Sequence, residues 1–343
     1  MYHREPIYLN NENTQATGSM ENNNMKDRIE KATQRIRPYV RHTPMDLSFW
    51  LSSEGKAQVY IKWESEQVTG SFKSRGAFNY LLSIRDKSIG AVTASTGNHG
   101  AACANAMKVL GMKGKVYCPE YSTSAKREAI EANGAEVIIC GKDCVDTEMK
   151  ARADAKECGA VYVPPYAHLD VMAGQATVGV EVFEDLPSVD AVFVSVGGGG
   201  LVGGIGAHLK QVKPDVQVIG CQPKNSCVMW ESIKAGRILD LPSEETLSDG
   251  TAGGIEQESP TFEMCKKFVD DWVLVSEEEI SKAIYDVMDY HHKLIEGAAA
   301  VSVAAYLKIK ERFVGKTVVI IACGGNVDMA VVKRVIKENA GDM

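Results

Sequence analysis

From Met25 onward, short apolar runs alternate with stretches whose hydrophobic positions recur at helical spacing. That order predicts strands joined by helices, the doubly wound α/β class. Gly90–Ala94, Lys115–Cys118, Glu136–Cys140 and Val161–Val163 are expected strands of one smaller sheet; Ala191–Val196, Val216–Cys221, Trp272–Val275 and Val318–Ala322 are expected in a larger one, with a further strand at Gln58–Trp63. Helical runs are expected at Ala77–Ile84, Gly100–Leu110, from the glycines after Val196 through Lys210, and at Val327–Glu338. Ligands of such sheets lie beyond the carboxyl ends of strands, so the strand-to-helix turns carry the candidate chemistry.

The turn Ser195-Val196-Gly197-Gly198-Gly199-Gly200-Leu201-Val202-Gly203-Gly204 is the most informative. Bare glycine backbone at a helix N-terminus lets unpaired N–H groups and the positive dipole end approach a phosphate. Gly198, Gly200 and Gly203 spell a dinucleotide-type G-x-G-x-x-G, but that motif expects an acid at the end of the next strand, and this chain has Cys221-Gln222-Pro223 there. Tight strand–helix packing is the bland explanation of such glycines. Four in a row fit a compact phosphate cup better, because each adds backbone entropy that folding must overcome.

Three more turns follow strands. In Thr69-Gly70-Ser71-Phe72-Lys73-Ser74-Arg75-Gly76, Lys73 taken alone reads as a solvated charge, whereas beside a phosphate cup it reads as a Schiff-base lysine for pyridoxal phosphate with Phe72 as an apolar neighbour of the ring. Ala94-Ser95-Thr96-Gly97-Asn98-His99-Gly100 offers hydroxyls, an amide and backbone N–H groups for a carboxylate or a ring hydroxyl, although Ser and Thr also serve as plain helix caps. The apolar run Val318–Ala322 leads into Cys323-Gly324-Gly325-Asn326, where a buried cysteine is ordinarily inert packing.

In this order the four motifs resemble the fold type II pyridoxal-phosphate enzymes, in particular the serine and threonine dehydratases and the serine racemases. Arg41-His42-Thr43-Pro44, Ala173-Gly174-Gln175, Ser248-Asp249-Gly250 and Ile295-Glu296-Gly297 extend the likeness from about Met25 to the C-terminus. The resemblance implies two doubly wound α/β domains with the cofactor between them: a large domain of residues 25–89 and 169–343 and a small substrate domain of residues 90–168. It implies Lys73 as the Schiff-base lysine, Asn98 as partner of the ring hydroxyl, and Gly197, Gly198, Gly199 and Gly200 with Leu201 around the phosphate. Cys323 would face the pyridine nitrogen, and Ser95, Thr96, Asn98 and His99 would receive the substrate carboxylate.

A neutral thiol, with an unperturbed pKa of about 8.5, protonates the ring weakly and favours prompt loss of a β-hydroxyl over chemistry that needs a long-lived carbanion. The expected activity is therefore an ammonia-lyase acting on a small β-hydroxy amino acid, threonine or serine, with serine racemase and 3-hydroxyaspartate dehydratase as alternatives. Racemisation needs an acid–base group on the second face of Cα; the family's racemases use a serine where this chain has Thr96, whose methyl group stiffens χ1. A β-replacement enzyme and a non-catalytic binding protein of the same fold are further alternatives, the second opposed by the intact Lys73.

Metal is not expected. Where related racemases and many eukaryotic dehydratases carry carboxylates for a divalent ion, this chain has Gln222, Ser226 and Val228, and an oxygen site needs anionic ligands. Asp289, His292 and Glu296 could be aligned as a metal set on one helix, but solvated charge and core contact explain them more simply.

Composition narrows the remaining classes. The chain has 343 residues, enough for two domains, with 45% hydrophobic and 24% charged residues. A net charge of −7 without a basic stripe argues against a nucleic-acid partner, and no run of about 18 apolar residues suits a membrane span. Nine scattered cysteines without metal-type spacing favour free thiols and a cytoplasmic location. The asparagine-rich residues 1–24 are expected to be a disordered leader. No C-terminal regulatory domain of the biosynthetic threonine dehydratase kind is expected, and a homodimer is the expected assembly.

Overall fold

The computed structural model describes residues 25–120, 122, 124–142 and 144–340, so the leader expected over residues 1–24 lies outside the described residues. The strands are β1 (Met45–Leu47), β2 (Gln58–Trp63), β3 (Ala91–Ala94), β4 (Gly114–Cys118), β5 (Glu136–Ile139), β6 (Val161–Tyr162), β7 (Ala191–Ser195), β8 (Gln217–Pro223), β9 (Asp271–Val275) and β10 (Thr317–Ala322). They form a six-stranded sheet in the order β1-β2-β10-β7-β8-β9 and a four-stranded sheet in the order β5-β4-β3-β6. All pairings are parallel except β1 with β2. The fold is thus the mixed α/β architecture with two parallel sheets that the alternation of patterns predicts.

The central strands show why the pattern is legible. Every residue of β7 is buried, and only Thr317 of β10 is not, as expected for strands covered by helices on both faces. Phe193 of β7 sits edge-on to both Tyr306 and Phe313 in the larger core. A second core around Phe78, Met107 and Val116 supports the four-stranded sheet.

Element boundaries depart from expectation at informative places. The helix expected at Ala77–Ile84 is Lys73–Ser83, and the one expected at Gly100–Leu110 is Asn98–Val109. Their N-cap residues, Phe72 and Gly97, make no side-chain capping bond, so the usual cap signal is missing from the sequence. Lys73 and Asn98 each become the first residue of a helix. The expected Val327–Glu338 helix is Met329–Asn339, and β8 runs through to Pro223, which puts Gln222 inside the strand. Strand β1, only three residues after Pro44, carries too little pattern to be foreseen.

The Lys73–Ser83 helix is fixed by a buried charge cluster. The Arg75 guanidinium is fully buried and forks onto two carboxylates: Glu64 receives Nε at 2.8 Å and Nη2 at 2.7 Å, and Glu181 receives Nη1 at 2.5 Å and Nη2 at 2.8 Å. Lys62 of β2, also buried, donates to Thr43 O at 2.7 Å and pairs with Glu181 at 2.7 Å. Thr43 completes the set, its hydroxyl donating to Glu64 at 2.6 Å. Two cations thus meet two carboxylates with nearly every polar valence satisfied, the condition under which buried charge is tolerated. Burial by itself raises the Glu181 carboxyl, but its bonds and charge contacts with Arg75 and Lys62 outweigh this and hold it below the ordinary value.

Removing one partner from such a cluster strands the others. Arg75→Met should lower unfolding free energy by about 3–5 kcal/mol in urea titrations, and a loss below about 1 kcal/mol would contradict the structural role of the fork. Because the folded Glu181 carboxyl lies low, its contribution is fully present above the unfolded carboxyl's pKa of about 4.3 and is lost as pH falls through the folded value.

Candidate active site

The segment before the Lys73–Ser83 helix is stitched to the segment after β10. Phe72 N donates to Cys323 O at 3.1 Å, Gly325 N donates to Gly70 O at 2.9 Å, and Ser71 bridges Gly324. Gly70 has a φ of 74°, which a side-chain-bearing residue would adopt only under strain. This stitching brings Lys73 and Cys323 into one cleft of about 360 Å³, within the range of small-molecule sites. Lys73 Nζ donates to Pro165 O at 2.8 Å and lies 5.4 Å from the Phe72 ring centroid. Burial lowers the Lys73 amine to about 8, against the opposing influence of Cys103, Cys323 and Glu296.

All the residues that the sequence nominates line this cleft: Phe72, Lys73, Ser95, Thr96, Asn98, His99, Gly197 to Gly200, Leu201 and Cys323. Their contacts refine the expected roles. Ser95 Oγ accepts from Gly97 N at 3.2 Å and braces the turn after β3. The Thr96 hydroxyl has no hydrogen-bond partner among the described residues and is free to face the cleft. The His99 ring is turned inward: Nε2 donates to Val163 O at 3.1 Å, Cys103 Sγ lies 3.6 Å away, and burial, then the charge of Lys73, press its pKa to about 3. A neutral, buried imidazole leaves the first-turn backbone N–H, rather than the ring, as what His99 can offer an anion.

The glycine loop has a packing reason beside its phosphate reason. A Cβ on Gly198 would stand 2.5 Å from the Tyr166 ring, and Gly199, with φ of 83°, caps the Gly200–Val212 helix in the left-handed region. Gly198 and Gly199 are therefore required by the fold as well as suited to an anion. Ser195 Oγ, at the end of β7, is buried in the cleft wall with no partner among the described residues.

Glu296 is the main residue that the linear sequence undervalues. It is not solvated: it is 5% exposed, lines the cleft, and its two oxygens both lie 2.9 Å from Asn98 Nδ2. Burial raises its carboxyl to about 7. Nor does it share a helix with Asp289 and His292, because the Glu277–His291 helix ends with His292 in the left-handed region. Asn98 Oδ1 accepts from Asn326 Nδ2 at 2.7 Å, so the Asn98 amide already has partners on both sides. The Ile295-Glu296-Gly297 likeness is the one signal that could have promoted Glu296. Tyr166 and Pro165 also line the cleft and had no separate signal, whereas the strap Asp249–Gly254 was marked at its start by the Ser248-Asp249-Gly250 likeness.

The three positions considered for a divalent ion are used otherwise. Gln222 donates to Val196 O at 3.0 Å and accepts from Trp230 N at 2.8 Å, Ser226 Oγ lies 2.9 Å from Ser243 Oγ, and Val228 is buried in the larger core.

The cleft fits pyridoxal phosphate on its own chemistry. It offers a desolvated primary amine for the aldehyde, a helix N-terminus and the orphaned Ser195 hydroxyl for the phosphate, and an uncharged thiol. Burial keeps the Cys323 thiol well above its ordinary value.

Comparison with known proteins agrees with that fit. The family model described as pyridoxal-phosphate dependent enzyme matches residues 36–324. The chain is 41% identical over 315 residues to L-threonine dehydratase catabolic TdcB of Staphylococcus aureus (strain N315), spanning 90% of this chain and 91% of that protein. Among solved structures it is similar to the processed form of threonine deaminase isoform 2 from Solanum lycopersicum, with a TM-score of 0.88, 31% identity and 94% of each chain covered. It is also similar to maize serine racemase, with a TM-score of 0.85, 30% identity, and 92% of this chain and 97% of that one covered. The two-sheet frame is thus that of a family, and the chain belongs to the fold type II pyridoxal-phosphate dependent enzymes.

Proposed function

We propose that this chain is an ammonia-lyase that converts L-threonine, L-serine or both to the 2-oxo acid and ammonia. The observation that carries the reading is a desolvated lysine amine facing a neutral buried thiol in one cleft. The relative at 41% identity named L-threonine dehydratase supports it.

Pyridoxal phosphate, when held by Lys73, supplies the electron sink for the charge left at the substrate Cα. The chain's own groups do the rest. Lys73 Nζ would be the base for the α-proton; an amine lowered to about 8 is partly neutral near physiological pH, and the Pro165 carbonyl keeps it in the cleft. The Ser95 N–H is taken by Tyr117 O at 3.1 Å and the Gly97 N–H by Ser95 Oγ, so Thr96 and the first-turn N–H groups of Asn98 and His99 would receive the substrate carboxylate. Gly197 to Leu201 and Ser195 Oγ would hold the phosphate, Phe72 would flank the ring, and Asn98 would be the partner of the ring oxygen. Cys323, whose proton burial retains, would offer the ring nitrogen an uncharged partner, which favours prompt departure of the β-hydroxyl. Threonine yields 2-oxobutanoate and serine pyruvate, the water lost at Cβ being regained when the released enamine hydrolyses to ammonia and the oxo acid. The described cysteines are all free thiols, which supports a reducing cytoplasm, and a homodimer is the assembly we assign.

One observation favours a second activity, serine racemisation: Thr96 lines the cleft, and its hydroxyl has no hydrogen-bond partner among the described residues. A branched side chain restricts its approach to the second face of Cα.

Lys73→Ala should lower ammonia release from threonine or serine by about 10³-fold or more and abolish covalent capture of the cofactor, read as absorbance retained after borohydride reduction and denaturation. Turnover persisting in that variant would end the assignment. The ratio of D-serine to pyruvate formed from L-serine reports on Thr96. It should be below one in the natural chain, rise in Thr96→Ser, and approach zero in Thr96→Ala while elimination survives; the same ratio in all three proteins would remove Thr96 from the chemistry.

A further inference from the structure

The amide of Asn98 can face the cleft in two ways, presenting N–H or C=O, and its neighbours leave only one satisfied. The chain of bonds starts at a backbone carbonyl, which can only accept. Asn326 Nδ2 donates to Thr69 O at 2.9 Å, which fixes that atom as the amine end of Asn326. The second hydrogen of the same nitrogen goes to Asn98 Oδ1 at 2.7 Å. Asn98 Nδ2 is then turned to Glu296, within 2.9 Å of both carboxyl oxygens. Turning Asn98 over would set two N–H groups against each other at Asn326 and a carbonyl against a carboxylate at Glu296.

Two further features show that the arrangement is built. A Cβ at Gly70 would stand 2.5 Å from Asn326 Oδ1, and a Cβ at Gly324 would stand 2.5 Å from Glu296 Oε1. Glycine at both places leaves room for these two side chains and no more.

We propose that Asn326 and Glu296 are positioning residues which lock the Asn98 amide with its N–H side toward the cleft, so that its second N–H is the donor for the ring oxygen of pyridoxal phosphate. The inference rests on the reading of Asn98 as the partner of that oxygen. The lock requires only that Glu296 accept a hydrogen bond, which a carboxylate, a carboxylic acid and an amide can all do. It requires that Asn326 donate twice, which an aspartate cannot.

The test compares four holoenzyme variants by the absorbance maximum of the bound cofactor, its pH titration and the cofactor dissociation constant from fluorescence titration. Asn326→Asp should shift the band and weaken cofactor binding by about 10-fold or more, the range of one charge-assisted hydrogen bond. Glu296→Gln, which keeps an acceptor, should leave the band in place and the affinity within about threefold, whereas Glu296→Met, of similar length without an acceptor, should behave as Asn326→Asp does. Should Asn326→Asp fail to fold, the Gln and Met pair at position 296 decides alone. Asn98→Ala separates the lock from the assignment beneath it. If its band and affinity match the natural chain, the assignment of Asn98 to the ring oxygen falls; if Asn98→Ala shifts the band while Asn326→Asp and Glu296→Met do not, the lock falls and the assignment stands. A shift in Glu296→Gln equal to that in Glu296→Met would also overturn the lock.

Discussion

Arg75 forks onto Glu64 and Glu181 with no access to solvent, and the position of Lys73 depends on that fork. A guanidinium out of water is tolerated only where carboxylates meet its donors in plane, so the three elements that supply them have very little freedom to slide. Glu64 follows β2, Glu181 belongs to the Leu169–Asp185 helix, and Arg75 lies two residues after Lys73 in the first turn of its own helix. A shift of any of these would strand a charge. The cluster therefore sets the depth at which the lysine amine enters the cleft, while the hydrogen bonds from Gly325 to Gly70 and from Phe72 to Cys323 set which way it faces.

Burial in the cleft that this frame encloses moves three of its ionisable groups toward their neutral forms. The lysine amine is lowered to about 8, the Glu296 carboxyl is raised to about 7, and the Cys323 thiol stays protonated. An amine poised in this way can both form a bond to an aldehyde and later take up a proton, because neither role demands removal of a strongly hydrated charge. His99 belongs to the same dry region but serves it differently, as a neutral ring bonded to the backbone of Val163. Its contribution is to hold the turn after β3 against the strand's neighbour.

The α/β class, both sheets and the turns that line the cleft are legible because parallel strands buried on both faces read as uninterrupted apolar runs, and because glycine, lysine and the S-T-G-N-H turn stand directly after them. Legibility ends where a residue's meaning depends on distant partners. Arg75, Lys62, Glu64 and Glu181 look like ordinary surface charges in a linear chain, and only the folded structure brings them to one point. Glu296 is obscured for the same reason: the nearest titratable neighbours in sequence, Asp289 and His292, suggest a helix face that the left-handed His292 interrupts. The glycine loop reads in sequence as a ligand cup, and the Tyr166 ring over Gly198 supplies a second reason that no local pattern contains.

Delivery of Lys73 to the cleft as a desolvated amine is the central claim, and titration of that amine tests it most directly. The rate at which cofactor-free protein captures pyridoxal phosphate covalently follows the neutral fraction of the amine, so it should rise with pH through a midpoint near 8. A midpoint near the ordinary lysine value of about 10.4 would mean that Lys73 is solvated and that the buried cluster does not place it as described.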